Sequence, residues 1–321
     1  MSEPSITFVV KDYDYIAPLV CGDVVAEGMA LQLERDTPRA LDRTLNDPSV
    51  DAGELSFCRY VMRLASGDRS LVGIPFFAYR AFRQRCYFVR CGSKLDLKQL
   101  EGKRIGTNEW PASGNVWTRA LLREQGVPLA NIRWWVGPVD DPNAPQRPQG
   151  SLPPYVELMS PGQTLGAMLL AGDVDAIMCP NPPRAFYEAD RPIVRLFDDF
   201  RRAEREYYRR TQLYPPQHIV GIRREVLERH PWVASRLYDV LERSRLLWQE
   251  RRRTWAEVSP WFLAELEEVT ELMGYDWQPN GYEANQAAIQ TFCDELYAQG
   301  LIAHALDGAT VFAEFQEMAK G

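Results

Sequence analysis

The sequence predicts an α/β protein of two lobes with a helical C-terminal part. Short β-branched runs alternate with helical patterns up to about residue 222, and helical stripes dominate afterwards. The alternation falls into two blocks, residues 1–84 and 86–210, and a late apolar run at 219–222 returns the chain to the first. Lobe 1 is therefore expected over 1–85 plus 219–321, and lobe 2 over 86–218. A chain of 321 residues is long enough for one large or two medium domains, and parallel sheets are the expected arrangement.

The elements follow in order. Residues 6–10 form a β-branched first strand, with a polar, aromatic loop at 11–15 beyond its C-terminal end. A second strand is read over 27–33 and a short amphipathic helix over 38–45, ending before Pro48. Residues 50–56 lead through a strand-to-helix junction into a helix carrying Tyr60, Val61 and Leu64. Strands are expected at 71–77 and 86–89, and Arg104-Ile105-Gly106-Thr107 opens a strand, turn and helix that Gly126 closes. Beyond it come a strand at 132–136, a proline-rich surface loop at 140–154, a helix at 162–171 stopped by Gly172, and strands at 174–178 and 193–197. Residues 201–210, RRAEREYYRR, mix both charges and read as a solvated helix face. After the strand at 219–222, stripes through Val233 to Trp248, Phe262 to Met273, Asn285 to Leu296 and Val311 to Ala319 mark helices whose apolar faces are core.

Candidate chemistry gathers where strands end. The small residues Ser113, Gly114 and Asn115 start a helix, where exposed N–H groups and the helix dipole favour a carboxylate or phosphate; an ordinary capped helix is the alternative. Tyr13 and Asp14 lie at the end of the first strand, as ligand contacts or as plain turn residues. Glu54, with Ser56 beside it, reads as a dipole-favoured carboxylate or as a functional acid or base. Arg80, Arg83 and Arg85 interleave with Tyr79 and Phe82, suiting an anion held against aromatic faces or, alternatively, solvated charge on an edge strand. His218 sits between a Pro-Pro turn and a buried run, where an imidazole titrates near neutrality or simply donates a structural hydrogen bond. These residues are expected to project into a cleft between the lobes.

Composition excludes several classes. With 45% hydrophobic and 25% charged residues the chain is globular, and its net charge of −7 argues against nucleic acid as the main partner. The N-terminus lacks the basic start and long apolar core of a secretory signal, and no run approaches the ~20 apolar residues of a membrane-spanning helix, so a cytoplasmic location with no membrane partner is expected. Six cysteines without C-x-x-C pairs suit reduced thiols, and three histidines without ligand spacing give no metal site. No flavin or pyridoxal motif is present, so no cofactor is expected. Oligomeric state is not encoded in these patterns, and a homo-oligomer is compatible with them.

Several motifs together resemble the bacterial 4,5-dihydroxyphthalate decarboxylase family, which shares the fold of type 2 periplasmic solute-binding proteins. They are D-x-x-E-L-S-x-x-x-Y from Asp51 to Tyr60, I-P-x-F-x-x-R-x-F-R from Ile74 to Arg83, L-x-G-K-R-I-G from Leu100 to Gly106, Val116-Trp117-Thr118-Arg119, and Tyr214 to His218. Gln84 stands where the family places a histidine, and Ser113-Gly114 where it has Thr-Ala. The resemblance implies a cofactor-independent decarboxylase of a hydroxylated aromatic acid, with protocatechuate as product. It further implies Arg80 and Arg83 with the amides of Ser113, Gly114 and Asn115 as a carboxylate clamp, His218 as proton donor or phenol base, and Glu54 as its partner. The alternative is a binding or sensing protein for an aromatic or dicarboxylic acid, using the same clamp without chemistry.

Overall fold

The computed structural model describes residues 3–146, 148–254 and 259–320. Among these, eleven strands form two mixed sheets. The chain divides into two compact units. The first comprises residues up to Arg80, Pro216–Gln290 and those from Leu306 onward; the second comprises Ala81–Pro215 and Thr291–Ala305. The crossings thus fall at 80/81 and 215/216 rather than at 85/86 and 218/219, and residues 291–305, expected with the first lobe, belong to the second unit.

The first unit is built on strands β1 (Ser5–Val10), β2 (Ala30–Arg35), β3 (Ala52–Ser56), β4 (Leu71–Arg80) and, from the far end of the chain, β11 (Pro216–Arg223). Their order is β2-β1-β3-β11-β4, with β1 parallel to β2 and β3. Strand β11 runs antiparallel to both of its neighbours, so the sheet is not the parallel one expected. Alternation of strands and helices forecasts layers, but not the direction in which a strand returning after 135 residues enters them. Helices α1 (Ala17–Val20), α2 (Ala40–Asn46) and α3 (Phe57–Ala65) connect the early strands. The core lies between one sheet face, with Phe8, Ile74, Phe76 and Val220, and the stripe of a later helix through Leu237, Val240 and Leu241. That stripe is the i, i+3, i+4 pattern read from the sequence.

The second unit holds β5 (Tyr87–Arg90), β6 (Arg104–Thr107), β7 (Arg133–Val136), β8 (Val156–Leu158), β9 (Ala176–Met178) and β10 (Ile193–Arg195), in the order β10-β5-β9-β6-β7-β8. Strands β6 to β9 are parallel to one another, whereas β5 pairs antiparallel with both β9 and β10. Helices α4 (Ser113–Glu124), α5 (Leu165–Ala171) and α6 (Phe200–Thr211) belong here. Gly126 and Gly172 take φ of 79° and 85°, the left-handed conformation that stops α4 and α5 where expected. Helix α6 is not solvated all round: Glu204 is buried, gripped by both Nε and Nη2 of Arg85 at 2.9 Å, and Tyr207 is buried with it. The C-terminal part supplies α7 (Arg224–Arg229), α8 (Val233–Thr254), α9 (Phe262–Met273), α10 (Gln286–Ala298) and α11 (Ala313–Met318).

Two glycines show how tightly β3 is held. A Cβ on Gly53 would lie 2.5 Å from the Val9 carbonyl oxygen, whereas one on Gly221 would meet only the tip of the Leu55 side chain, which can turn aside. Gly53→Ala is expected to lower stability by about 1–3 kcal/mol, as overpacking against backbone does, and Gly221→Ala by less. Urea denaturation checks the order; equal losses in the two variants would contradict it.

Candidate active site

Strand pairing places the central pair. His218 on β11 lies opposite Ser56 on β3, and Val220 opposite Glu54, so Glu54 and His218 share a face as diagonal neighbours. On the other side, β4 brings Tyr79 opposite His218, their ring centroids 5.3 Å apart. A register irregularity between His218 and Val220 adjusts this part of the β4 pairing. His218 is therefore the third residue of a strand rather than the end of a turn. Pro216 occupies the strand's first position, where a missing N–H is tolerated.

Glu54 is fully buried. A carboxylate without solvent needs donors, and three reach it. Its Oε1 accepts the Tyr13 hydroxyl at 2.6 Å and faces His218 Nδ1 at 2.5 Å, and its Oε2 accepts the Lys11 amide at 2.9 Å. Burial pushes the carboxyl's pKa up, but the His218 hydrogen bond and charge, then Lys11 and Tyr13, outweigh it and leave the value below its ordinary 4.5. Burial and the Glu54 charge push the Tyr13 phenol far above its usual range, so it remains a donor. Rings order the cluster. Tyr13 stacks on Tyr15 at 5.2 Å and on Tyr79 at 6.1 Å, and Tyr15 is anchored by its hydroxyl to the Ala78 carbonyl at 2.6 Å.

Tyr13, Glu54 and His218 thus come together in the first unit. Asp14 is exposed at the start of a 3-10 turn, Asp14–Ile16, and the contacts to Glu54 run through Tyr13 and Lys11 instead. Ser56 caps α3, its side chain accepting from the Arg59 amide. Tyr79 and Lys11 appeared in the sequence only as members of their runs; their part depends on pairings between strands far apart in the chain.

The expected guanidinium clamp divides between the units. Arg80 serves the first: its Nη2 donates to the Pro279 carbonyl at 2.8 Å and to Asn285 Oδ1 at 2.7 Å, and its guanidinium lies over the Phe77 ring. These contacts fasten the 279–285 segment. Arg83 belongs to the second unit, where its Nε donates to Thr118 Oγ1 at 2.9 Å, and Thr118 in turn donates to the Gly114 carbonyl at 2.8 Å. Arg83 is thereby held beside the first turn of α4. That turn starts from Ala112, which offers no side-chain cap. Ser113, Gly114 and Asn115 are buried, and the Asn115 side-chain amide fastens the preceding turn by donating to Thr107 Oγ1, Asn108 Oδ1 and the Glu109 carbonyl. Gln84 is buried, its Oε1 accepting the Arg83 amide at 3.2 Å. Among the described residues no group of three or more His, Cys, Asp or Glu is placed to hold a metal ion, and no helix is long and apolar enough to cross a membrane.

A protein of Comamonas testosteroni named 4,5-dihydroxyphthalate decarboxylase is 30% identical to this chain over 320 residues, covering 97% of each. The chain belongs to the 4,5-dihydroxyphthalate decarboxylase family. Membership places it among the carboxy-lyases. A Pseudomonas putida protein of the same name is 28% identical over 214 residues, 65% of this chain and 83% of that one. No protein-family model matches the chain. Solved structures establish the fold of the decarboxylase-family chain as that of periplasmic binding proteins. The aliphatic sulphonate binding protein SsuA of Escherichia coli aligns with a TM-score of 0.56 at 15% identity, over 96% of this chain and 97% of that one. The alkanesulfonate-binding SsuA of Xanthomonas axonopodis pv. citri, bound to MOPS, gives 0.53 at 15% identity, over 97% and 99%.

The depressed Glu54 value makes a signed prediction. Its stabilisation is fully present above pH 4.5 and is lost as pH falls through the lower folded value. The stability gap between the wild type and Glu54→Gln, read by denaturant titration at a series of pH values, should be widest above pH 4.5 and shrink below it. A gap that stays constant or widens on acidification would contradict the pairing.

Proposed function

We propose that the protein decarboxylates a hydroxylated aromatic dicarboxylate of the 4,5-dihydroxyphthalate type, without a cofactor, using His218 and Glu54 for proton transfer. The observation that carries this is the buried Glu54 carboxylate against His218 Nδ1, in a chain whose relatives bear the decarboxylase name. Loss of CO₂ from an aromatic acid leaves an electron pair on the ring, so the carbon bearing the carboxylate must first be protonated. A hydroxyl para to that carbon assists by becoming carbonyl-like. The C–C bond then breaks, its electrons restore the aromatic ring, and CO₂ departs, for a net uptake of one proton.

The residues fit these tasks. Glu54 holds the His218 proton on Nδ1, which leaves Nε2 to accept a proton when the ring is neutral and to donate one when it is charged. His218 thus moves the proton, taking it from the phenol or delivering it to the ring carbon. In the second unit, Arg83 and the N–H groups of Ser113, Gly114 and Asn115 are proposed to bind carboxylate, since guanidinium and a helix N-terminus both favour that charge. Tyr79, 39% exposed beside the His218 ring, is suited to stacking on an aromatic ligand. We also place the protein in the cytoplasm, with a small aromatic acid as its partner.

Binding an aromatic or dicarboxylic acid without turnover is the second reading; the sulfonate-binding proteins of the same fold favour it. Incubation with 4,5-dihydroxyphthalate, following CO₂ and protocatechuate, separates the two. His218→Ala is expected to lower kcat by ~10²–10⁴ while retaining ligand affinity, as loss of a general acid–base group does. Arg83→Ala should weaken binding. Unchanged turnover in His218→Ala would remove the histidine from the mechanism.

A further inference from the structure

Two donors converge on a single oxygen of Glu54. Oε1 takes the Tyr13 hydroxyl at 2.6 Å and His218 Nδ1 at 2.5 Å, whereas the Lys11 amide uses Oε2. Resting on the acid–base reading of His218 above, we propose that Tyr13 is a positioning residue: by sharing Oε1 it weakens the hold of Glu54 on the imidazolium and so sets the pH at which His218 exchanges its proton.

The chemistry follows from the acceptor. Every hydrogen bond a carboxylate accepts disperses its charge and lowers its appetite for another proton. An Oε1 bonded to His218 without the phenol would attract the Nδ1 proton more strongly and favour the charged imidazole. The Tyr13 donor is permanent on two counts: burial and the Glu54 charge keep the phenol protonated, and stacking fixes the direction of its hydroxyl. Tyr15, at 5.2 Å and nearly parallel to Tyr13, is itself held by its bond to the Ala78 carbonyl and by Ser244 Oγ donating to the Tyr15 carbonyl at 2.7 Å. The hydroxyl therefore cannot swing away without disturbing a buried stack.

Other polar and charged groups face the cluster from each element around it. Lys11 stands at the end of β1, Tyr15 in the turn that follows, Ser56 on β3, Tyr79 on β4, and Arg245 of α8 acts on Tyr15. Lys11 favours the carboxylate by its charge and by its amide on the other oxygen, so its influence and that of Tyr13 are separable by substitution.

Tyr13→Phe keeps the ring and the stack and removes the donor. In protein with isotope-labelled histidine, the His218 titration midpoint followed by NMR should rise by about one pH unit, the scale of a hydrogen bond to a charged group. The limb of the kcat/KM profile governed by His218, measured with 4,5-dihydroxyphthalate, should move the same way. Replacing Tyr13 by 3-fluorotyrosine, a stronger donor of the same shape, should move both downward, and it provides the test if the phenylalanine variant does not fold. A midpoint that stays put or moves in the opposite sense in a folded variant overturns the inference, even where wild-type protein releases CO₂. A midpoint that moves as expected in protein that releases no CO₂ upholds the role of Tyr13 and instead overturns the decarboxylase reading.

Discussion

A carboxylate sealed from water at the middle of a sheet is the constraint around which the first unit is arranged. Glu54 is tolerable there only because a main-chain amide and a phenol from the loop after β1, and an imidazole from β11, reach it. Each donor fixes a piece of structure. Lys11 fixes where β1 ends, Tyr13 fixes the turn that follows, and His218 fixes the register of β11 against β3. The Glu54–His218 pair and the sheet topology are therefore one arrangement, because a shift of β11 by a single residue would turn the imidazole to the opposite face.

The fold is shared with proteins that bind sulfonates, and the family carries a decarboxylase name, so the same framework supports binding and chemistry. An uncapped helix start with an arginine held against its first turn is suited to an anion. A histidine clasped by a buried carboxylate is suited to moving protons. The chain contains both, one in each unit. Arg80 fastens the 279–285 segment through its Nη2. Its spacing from Arg83 says nothing of that partner, because Asn285 lies about two hundred residues further on.

Much of the fold was legible locally. Val9 and Ile105 lie in short β-branched or apolar runs that are buried strands, and Gly126 and Gly172 end helices by adopting a conformation that other residues resist. Strand direction was not legible, since hydrophobic alternation is the same for parallel and antiparallel partners; β5 and β11 run against their neighbours. The three-residue β8 was hidden behind a proline-rich loop and has a single buried position, Val156. In the site, Glu54 and His218 were legible as residue types at strand ends. Their joint use of one oxygen with Tyr13 was not, since it arises from register across 164 residues of separation. Tyr79 acquired its place beside His218 in the same way, through pairing and not through its neighbours in sequence.

The claim that Glu54 dictates which nitrogen of His218 carries the proton is open to direct observation. With only His218, His230 and His304 in the chain, nitrogen-15 NMR of labelled imidazoles can assign each ring by substitution. At a pH where His218 is neutral, the proton should reside on Nδ1, with Nε2 showing the shift of an unprotonated ring nitrogen, and this preference should fade in Glu54→Gln. A proton found on Nε2 in the wild-type protein, or a tautomer indifferent to the loss of the Glu54 charge, would contradict the account.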